Sequence, residues 1–407
     1  MTPDLPRAAL RSAVEFYLDL HAHPELSGCE QRTAGRLADW LERHDAVVTH
    51  GVGGGHGLVG VLRNGPGPTV MLRAELDALP VAERTGLPYA STAPGVMHAC
   101  GHDLHMAAAA GALAELSRTR DTWRGTVLVV GQPAEETLEG AAAMLADGLY
   151  ERFGTPDVVL AQHAAPLPAG TVAHGLGPLM AASTALDVII HGRGGHAGTP
   201  HLTVDPVLTA AATVLRLQSV VSRETAPAEQ VVLTVGSLRA GERGNVIPDD
   251  AQLGLSVRAF SDAALDRATA AAERIVRAEC AASGCPKDPE FIVTSRSPVL
   301  VPDAAATEAV RRVHVGLFGP HRVTHCPATT ATEDFPLFGA QGVPLAYWML
   351  GVTGAGQWRA ARDGGAPVVP NHSPEFAPDI RTALPTGIAA LTGAALLTLD
   401  APEEATR

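Results

Sequence analysis

The chain has 407 residues, 46% of them hydrophobic and 18% charged, so it can bury the cores of two domains and is too apolar for a disordered chain. Its formal net charge is −13 and no basic run interrupts it, which argues against phosphate-backbone binding and leaves no expected nucleic-acid partner. Lysine occurs once, at Lys287, which removes a P-loop lysine, a Schiff-base lysine and a Ser-x-x-Lys pair from the possible mechanisms. The opening Met1-Thr-Pro-Asp-Leu-Pro lacks a basic segment followed by an apolar one, so no signal peptide is expected. No run of eighteen apolar residues exists, so no membrane span is expected. The five cysteines (Cys29, Cys100, Cys280, Cys285, Cys326) are odd in number and scattered. That pattern suits a reducing, cytoplasmic setting. Cys280 and Cys285 are close enough to meet at a helix end, but a structural disulfide there is not expected.

Helical periodicity covers residues 7–20 and 30–43, on either side of the turn-rich His21-Ala-His-Pro-Glu-Leu-Ser-Gly28. Apolar runs of strand length follow at 58–63, 69–75, 126–131, 157–162 and 344–350, separated by helical segments at 104–118, 139–149 and 304–318. The alternation predicts an α/β domain, a largely parallel sheet with helices on both faces. From residue 184 the pattern changes to strand (184–191), helix (205–222), strand (230–239), strand (251–260), helix (262–282) and strand (290–295). That β-α-β-β-α-β order predicts a ferredoxin-like α+β unit inserted into the first domain. The expected division is 1–180 with 296–407, and 181–295 for the insertion.

Residues that carry chemistry cluster at strand ends, where open α/β sheets bind ligands. Glu75 and Asp77 end the strand of Val70-Met-Leu-Arg-Ala, Glu135 and Glu136 follow Val127-Leu-Val-Val, and His163 follows Val158-Val-Leu-Ala-Gln. His98-Ala-Cys-Gly-His-Asp-Leu-His105 packs three histidines, a thiol and a carboxylate into eight residues. Together with Gln132-Pro-Ala-Glu-Glu136, His163 and His372 it reads as a transition-metal hydrolase site. Cys100 and His102 would diverge by about 200° on a helix, so they must share an ion from a turn, which Gly101 permits. A thiolate nucleophile paired with His102 is the rival reading, but it leaves the glutamates and the distant histidines without a role. Adjacent Glu135 and Glu136 are expected to point to opposite sides, one towards a metal and one towards the substrate; spacing does not decide which. In the insertion, Gly192-Arg-Gly-Gly-His196-Ala-Gly198 puts a histidine on a flexible loop, and Asn245 and Arg258 are candidates to bind a substrate carboxylate. Gly55-His-Gly-Leu-Val-Gly60 matches a dinucleotide fingerprint in spacing but precedes a strand, so it is set aside.

These motifs resemble the M20 metallopeptidase family, in its amidohydrolase branch of aminoacylases, hippurate hydrolases and auxin-conjugate hydrolases. The resemblance rests on His21-Ala-His-Pro-Glu-Leu26, Leu76-Asp-Ala-Leu-Pro80 with Thr85-Gly-Leu-Pro-Tyr89, Met97-His-Ala-Cys-Gly-His-Asp103 and Gln132-Pro-Ala-Glu-Glu136. It continues through Gly194-Gly-His-Ala197, Pro200-His201, Asp205-Pro206, Asn245-Val-Ile-Pro248, Glu333-Asp-Phe335 and His372-Ser-Pro374, in family order across almost the whole chain. It implies a catalytic domain with two divalent ions per chain (Zn, Mn, Co or Ni), an inserted lid, and a homodimer formed through the lid. Cys100, His102, Glu136, His163 and His372 would be the ligands and Glu135 the general base. His196 from the dimer partner's lid would polarise the scissile carbonyl, Asn245 and Arg258 would hold the substrate, and Asp77 would support a ligand. The implied reaction is hydrolysis of the amide bond of a small N-acyl amino acid by a metal-activated water. The alternatives are a dipeptidase or aminopeptidase, and a binding protein without turnover. Three departures stand out: Glu75 where the family usually has aspartate, Gly131 where an aromatic usually stands, and Ala161-Gln162 in place of Gly-Leu. Glu75 is expected to crowd Asp77, and Gly131 to alter packing behind the site.

Overall fold

The computed structural model describes residues 6–399; Met1–Leu5, on which the signal-peptide reading leans, lie outside the described residues. In chain order the elements are α1 (Arg7–Ala22), α2 (Gln31–Arg43), β1 (Val47–His50), β2 (Leu58–Asn64), β3 (Thr69–Glu75), α3 (His102–Arg118), β4 (Gly125–Gln132), α4 (Gly140–Ala146), α5 (Leu149–Phe153), β5 (Val158–Pro168) and β6 (Val172–His174). Next come β7 (Ala182–His191), β8 (Gly195–His196), α6 (Pro206–Ser219), β9 (Val231–Ala240), β10 (Val246–Ile247), β11 (Asp250–Ala259), α7 (Asp262–Ala282) and β12 (Glu290–Ser297). The chain closes with α8 (Ala304–Phe318), β13 (Val323–His325), β14 (Leu345–Thr353), α9 (Ala355–Arg362) and α10 (Ile380–Thr398). It divides into two bodies: residues up to Gly177 with Val301–Pro327 and Asp334 onward, and Pro178–Leu300 with Ala328–Glu333.

The first body is built on an eight-stranded sheet in the order β1-β2-β4-β3-β5-β14-β6-β13. Its centre, β4-β3-β5-β14, is parallel, while β1, β2 and the β14–β6 pairing are antiparallel. The central strands are apolar on both faces, as a doubly covered sheet requires. One face (Val70, Leu72, Val127, Val129, Leu160, Trp348) belongs to a core shared with α1, α2, α3 and α10; full burial of each such aliphatic side chain contributes about 1.5–3 kcal/mol. Gly111 sits where α3 meets α10, and a Cβ there would fall 2.6 Å from Ile388 Cδ1. On the other face Tyr347 packs on Phe335, with ring centres 5.3 Å apart. There the Tyr150 hydroxyl on α5 donates to the Phe338 carbonyl at 2.6 Å.

α10 has no counterpart among the predicted segments. It is apolar all round, which marks a buried helix and hides the amphipathic period. By length and composition it could cross a membrane, but it packs on α3, α8 and β14 as a core helix.

The second body is an antiparallel sheet in the order β12-β7-β11-β9 with α6 and α7 packed on one face. Its β-α-β-β-α-β sequence of elements is the ferredoxin-like order. Asp205 caps α6 by accepting the Val207 and Leu208 amides, with Pro206 at the first helical position, so the Asp-Pro motif has a folding role here. Ser261 caps α7. Cys280 and Cys285 are both free thiols; the Cys285 amide donates to the Cys280 carbonyl in the turn that ends α7.

Candidate metal centre

Three parallel strands and one helix start deliver the site. β3 runs into Asp77, β4 into the turn of Glu135 and Glu136, and β5 carries His163. His163 lies within β5 instead of beyond its end, because β5 continues past the apolar run and pairs with β14 as far as Pro168. α3 begins at His102, and Gly101 before it has φ +89°. A side chain at Gly101 would also press to 2.7 Å from the Ala164 Cβ. That left-handed step frees Cys100 from the helical spacing, so thiol and imidazole reach one place.

Cys100, His102, Glu135, Glu136, His163 and His372 converge. Cys100 Sγ lies 3.4 Å from His163 Nε2. His102 Nε2 lies 3.7 Å from Glu135 Oε2 and 3.8 Å from Glu136 Oε1, and His372 Nε2 is 3.6 Å from Glu136 Oε1. Cys100 joins His102 and His163 in one ligand group and Glu136 and His372 in another. The two glutamates therefore both turn inward. They sit in a turn where Ala134 has φ +51°, so strand alternation does not apply to them and the expectation of opposite faces is corrected.

The surroundings fit a cation. His102 Nε2 and Glu136 Oε1 are buried with no hydrogen-bond partner, a costly arrangement unless something positive joins them. His102 Nδ1–H donates to the Asp77 carbonyl at 2.9 Å, which leaves Nε2 as the lone-pair donor. Asp77 Oδ2 is itself fixed by the Ser27 hydroxyl (2.7 Å) and the Glu136 amide (2.9 Å). His163 Nδ1–H donates to the Ala164 carbonyl at 2.9 Å, so its Nε2 is also free to ligate. Burial and the nearby His105 lower the His163 pKa to about 3, leaving the ring neutral.

Other groups show what an ion would displace. Burial pushes the Cys100 thiol up to about 12. Burial opposes charge on His102, but the Asp77 contact outweighs it and raises that histidine well above its usual value. Without metal these atoms hold protons that an incoming cation must release. Burial, opposed by His102 and reinforced by the Glu136 charge, raises the Glu135 carboxyl well above the usual range, the direction that favours its holding a proton.

Glu75 does not crowd Asp77. It is fully buried, pairs with Arg73, and accepts His105 Nδ1–H at 2.9 Å. At Gly131 a Cβ would lie 2.9–3.2 Å from Leu37, Leu58 and Leu76, so three aliphatic side chains fill the space of an aromatic. Gln162 accepts the Trp348 indole N–H at 3.2 Å. Of the three histidines in the dense motif only His102 turns a free ring nitrogen towards the other candidate ligands: His98 is buried without a partner, and both nitrogens of His105 are engaged. Sequence reasoning also passed over Glu30, which accepts the Ala134 amide at 2.8 Å and holds the di-glutamate turn from the other side.

Within the second body, His196 and Asn245 are neighbours. His196 pairs with Val246 in the two-stranded antiparallel β8–β10 sheet, and the Ala197 amide donates to the Asn245 carbonyl at 3.1 Å. His196 is exposed, and its Nδ1 accepts the Gly198 amide at 2.9 Å, which leaves Nε2–H outward as a donor. Arg258 stands near the other end of β11, where its guanidinium donates to the Thr330 carbonyl at 2.6 Å.

Comparison with known proteins agrees with this geometry. The model of peptidase family M20/M25/M40 matches residues 71–384. The chain is 34% identical over 346 residues to the N-acetylcysteine deacetylase of Bacillus subtilis, covering 84% of this chain and 88% of that one. It is 33% identical over 370 residues to thermostable carboxypeptidase 1 of Saccharolobus solfataricus, covering 90% of each. Among solved structures it resembles the YXEP protein of Bacillus subtilis, described as a dinuclear metal-binding peptidase of the M20 family. The TM-score is 0.76 at 28% identity, covering 97% of this chain and all of that one. The stretch matched by the family model includes every motif of the metal centre, and the chain belongs to peptidase family M20/M25/M40.

Proposed function

We propose that this chain is a metal-dependent amidohydrolase that splits a small N-acyl amino acid into a carboxylic acid and a free amino acid. The observation that carries the reading is the pair of ligand groups sharing Cys100, with the buried carboxyl of Glu135 beside them. Cys100, His102, Glu136, His163 and His372 would hold two divalent ions, of Zn, Mn, Co or Ni; the mixture of thiolate, imidazole and carboxylate donors accepts each of these. Such ions, when bound, supply Lewis acidity that acidifies water and polarises an amide carbonyl. Glu135 takes the proton from the attacking water and delivers it to the departing amine. Asp77 keeps His102 in its ligating tautomer.

His196, from the inserted lid of a second copy, donates through Nε2–H to the oxygen of the scissile carbonyl. Asn245, beside His196, and Arg258 are the candidates to hold the substrate; they stand towards opposite ends of β11, so one copy does not supply both to the same carboxylate. A homodimer through the lid is supported by exposed Leu202, Val207, Leu208 and Leu215 and by the open edge strand β9. The lid is residues 181–295 and the catalytic domain 1–180 with 296–407. Five free cysteines suit a reducing cytoplasm.

A second reading, cleavage of a peptide in place of an acyl amino acid, draws support from the similarity to a thermostable carboxypeptidase. Hydrolysis rates for N-acetyl and N-benzoyl amino acids against dipeptides and short peptides separate the two. Faster turnover of the acyl amino acids supports the first reading. Turnover confined to peptides overturns it in favour of the second.

A further inference from the structure

Glu75 is a departure from the family pattern with no role in the reaction derived above, and His105 belongs to the dense histidine motif without ligating. The structure joins them in one chain of contacts. Glu75 Oε1 rests on Arg73, whose guanidinium also donates to Gln132 Oε1 at 2.8 Å and to Asp334 Oδ1 at 3.1 Å. Glu75 Oε2 accepts His105 Nδ1–H at 2.9 Å. The other nitrogen, His105 Nε2, accepts the Ala164 amide at 2.7 Å, so His105 has one defined tautomer and no lone pair left for an ion.

Ala164 is where this chain meets the ligands. Its carbonyl accepts His163 Nδ1–H at 2.9 Å and the Asn371 side-chain amide at 3.0 Å. Asn371 also donates to the Cys100 carbonyl at 3.2 Å and directly precedes His372. The Ala164 carbonyl therefore orients the His163 ring and, through Asn371, ties down the segments bearing Cys100 and His372, while His105 pins the amide of the same residue, one peptide earlier. Resting on the metal-site reading above, we propose that Glu75 and His105 are positioning residues that preset the ligands His163, Cys100 and His372 by fixing the backbone at Ala164, and that glutamate is needed at position 75 to reach His105.

Chain length is decisive here. Glu75 lies at the end of β3, where it pairs with Gln132 of β4. Aspartate at 75 would draw the carboxylate back by about 1.5 Å, one carbon–carbon bond. The sheet prevents the backbone from following, and a contact of 2.9 Å lengthened by most of that is no longer a hydrogen bond. A residue that is ordinary for the family would then be damaging in this chain.

The test titrates metal-free protein with Co(II) alone, comparing wild type with Glu75→Asp and His105→Gln. It reads the dissociation constant and the thiolate-to-cobalt absorption band, with the melting temperature of each metal-free protein as a control. The expected result for Glu75→Asp is affinity weakened about 10–100-fold, the range for losing a group that orients a ligand, with a displaced thiolate band and near-wild-type melting. Affinity within twofold of wild type and an unchanged band would overturn the proposal and leave Glu75 as a buried partner of Arg73 only. If Glu75→Asp does not fold without metal, His105→Gln decides by the same two criteria. Wild-type protein that binds no cobalt overturns the metal-site reading and this proposal together; normal wild-type binding with indifferent variants overturns this proposal alone.

Discussion

The candidate ligand loops of the first body and the β8 strand bearing His196 in the second hold their side chains in opposite ways. Around the candidate metal centre the supporting groups are fixed by buried contacts, while His102 Nε2 and Glu136 Oε1 are left without a partner: Ser27 and the Glu136 amide fix Asp77, Asp77 fixes His102, and Glu30 fixes the Ala134 turn. His196 is exposed, and a contact with the Gly198 amide orients its ring. Buried, hydrogen-bonded supports hold the candidate ligand atoms rigidly and raise the cost of any change. An exposed histidine on a short glycine-flanked strand is a side chain that can be removed without harm to the fold. The difference predicts that variants in the first region separate into chemical and structural defects, whereas variants at His196 affect chemistry alone.

The largest effect should come from Glu135→Gln, which keeps the shape of the turn and removes the proton carrier. A kcat loss of about 10²–10⁴-fold is expected, with metal content by elemental analysis equal to wild type; loss of metal would exchange the roles of Glu135 and Glu136. His196→Ala should lower kcat by about 10²–10³-fold, the scale of one lost oxyanion donor, with melting temperature and metal content unchanged. Mixing the inactive Glu135→Gln and His196→Ala proteins sharpens this test. Dimers that exchange His196 between copies regain activity, and a mixture that stays inactive places His196 and Glu135 in service of the same chain's site.

Stability should respond to acid through a second buried cluster in the first body. His174 Nε2 and His314 Nδ1 lie 3.0 Å apart beside Trp348. Burial, with the neighbouring ring for His174, lowers the two pKa values to about 3 and about 4. Both rings are thus neutral in the folded chain at pH 5, while in the unfolded chain, with pKa near ~6.5, they take up protons. Their stabilising contribution is present above pH ~6.5 and is lost as pH falls towards the folded values, amounting to about 2 kcal/mol per histidine at pH 5. Calorimetry at pH 7 and 5 should show a larger drop for wild type than for a His174→Gln/His314→Gln double variant. Equal drops contradict the assignment. Gly131→Ala should cost about 1–3 kcal/mol by overpacking against Leu37, Leu58 and Leu76. Neutral behaviour in thermal unfolding would mean that those leucines yield freely.

Much of this was legible before any coordinates. The parallel core announced itself through short apolar runs that end in acids and histidines, and the convergence of candidate ligands through soft donors packed around Gly101. What escaped has physical causes. α10 is apolar on every side, so no period distinguishes it from a loop-bounded hydrophobic run. The inward convergence of Glu135 and Glu136 depends on a left-handed alanine, which no propensity predicts. His98, His102 and His105 look equivalent in sequence. Only the contacts to Asp77, Glu75 and Ala164 separate the ring with a free nitrogen, His102, from the fully engaged His105. Arg258 and Asn245 read as one substrate-binding pair, but strand register puts them towards opposite ends of β11.

The most direct test of the account is a titration of chelator-stripped protein with Zn, Mn, Co or Ni, following bound metal and hydrolysis of N-acetyl and N-benzoyl amino acids in the same samples. The account predicts no turnover without metal and activity that rises as up to two ions bind per chain. Two ions bound per chain with no product from any N-acyl amino acid would contradict it.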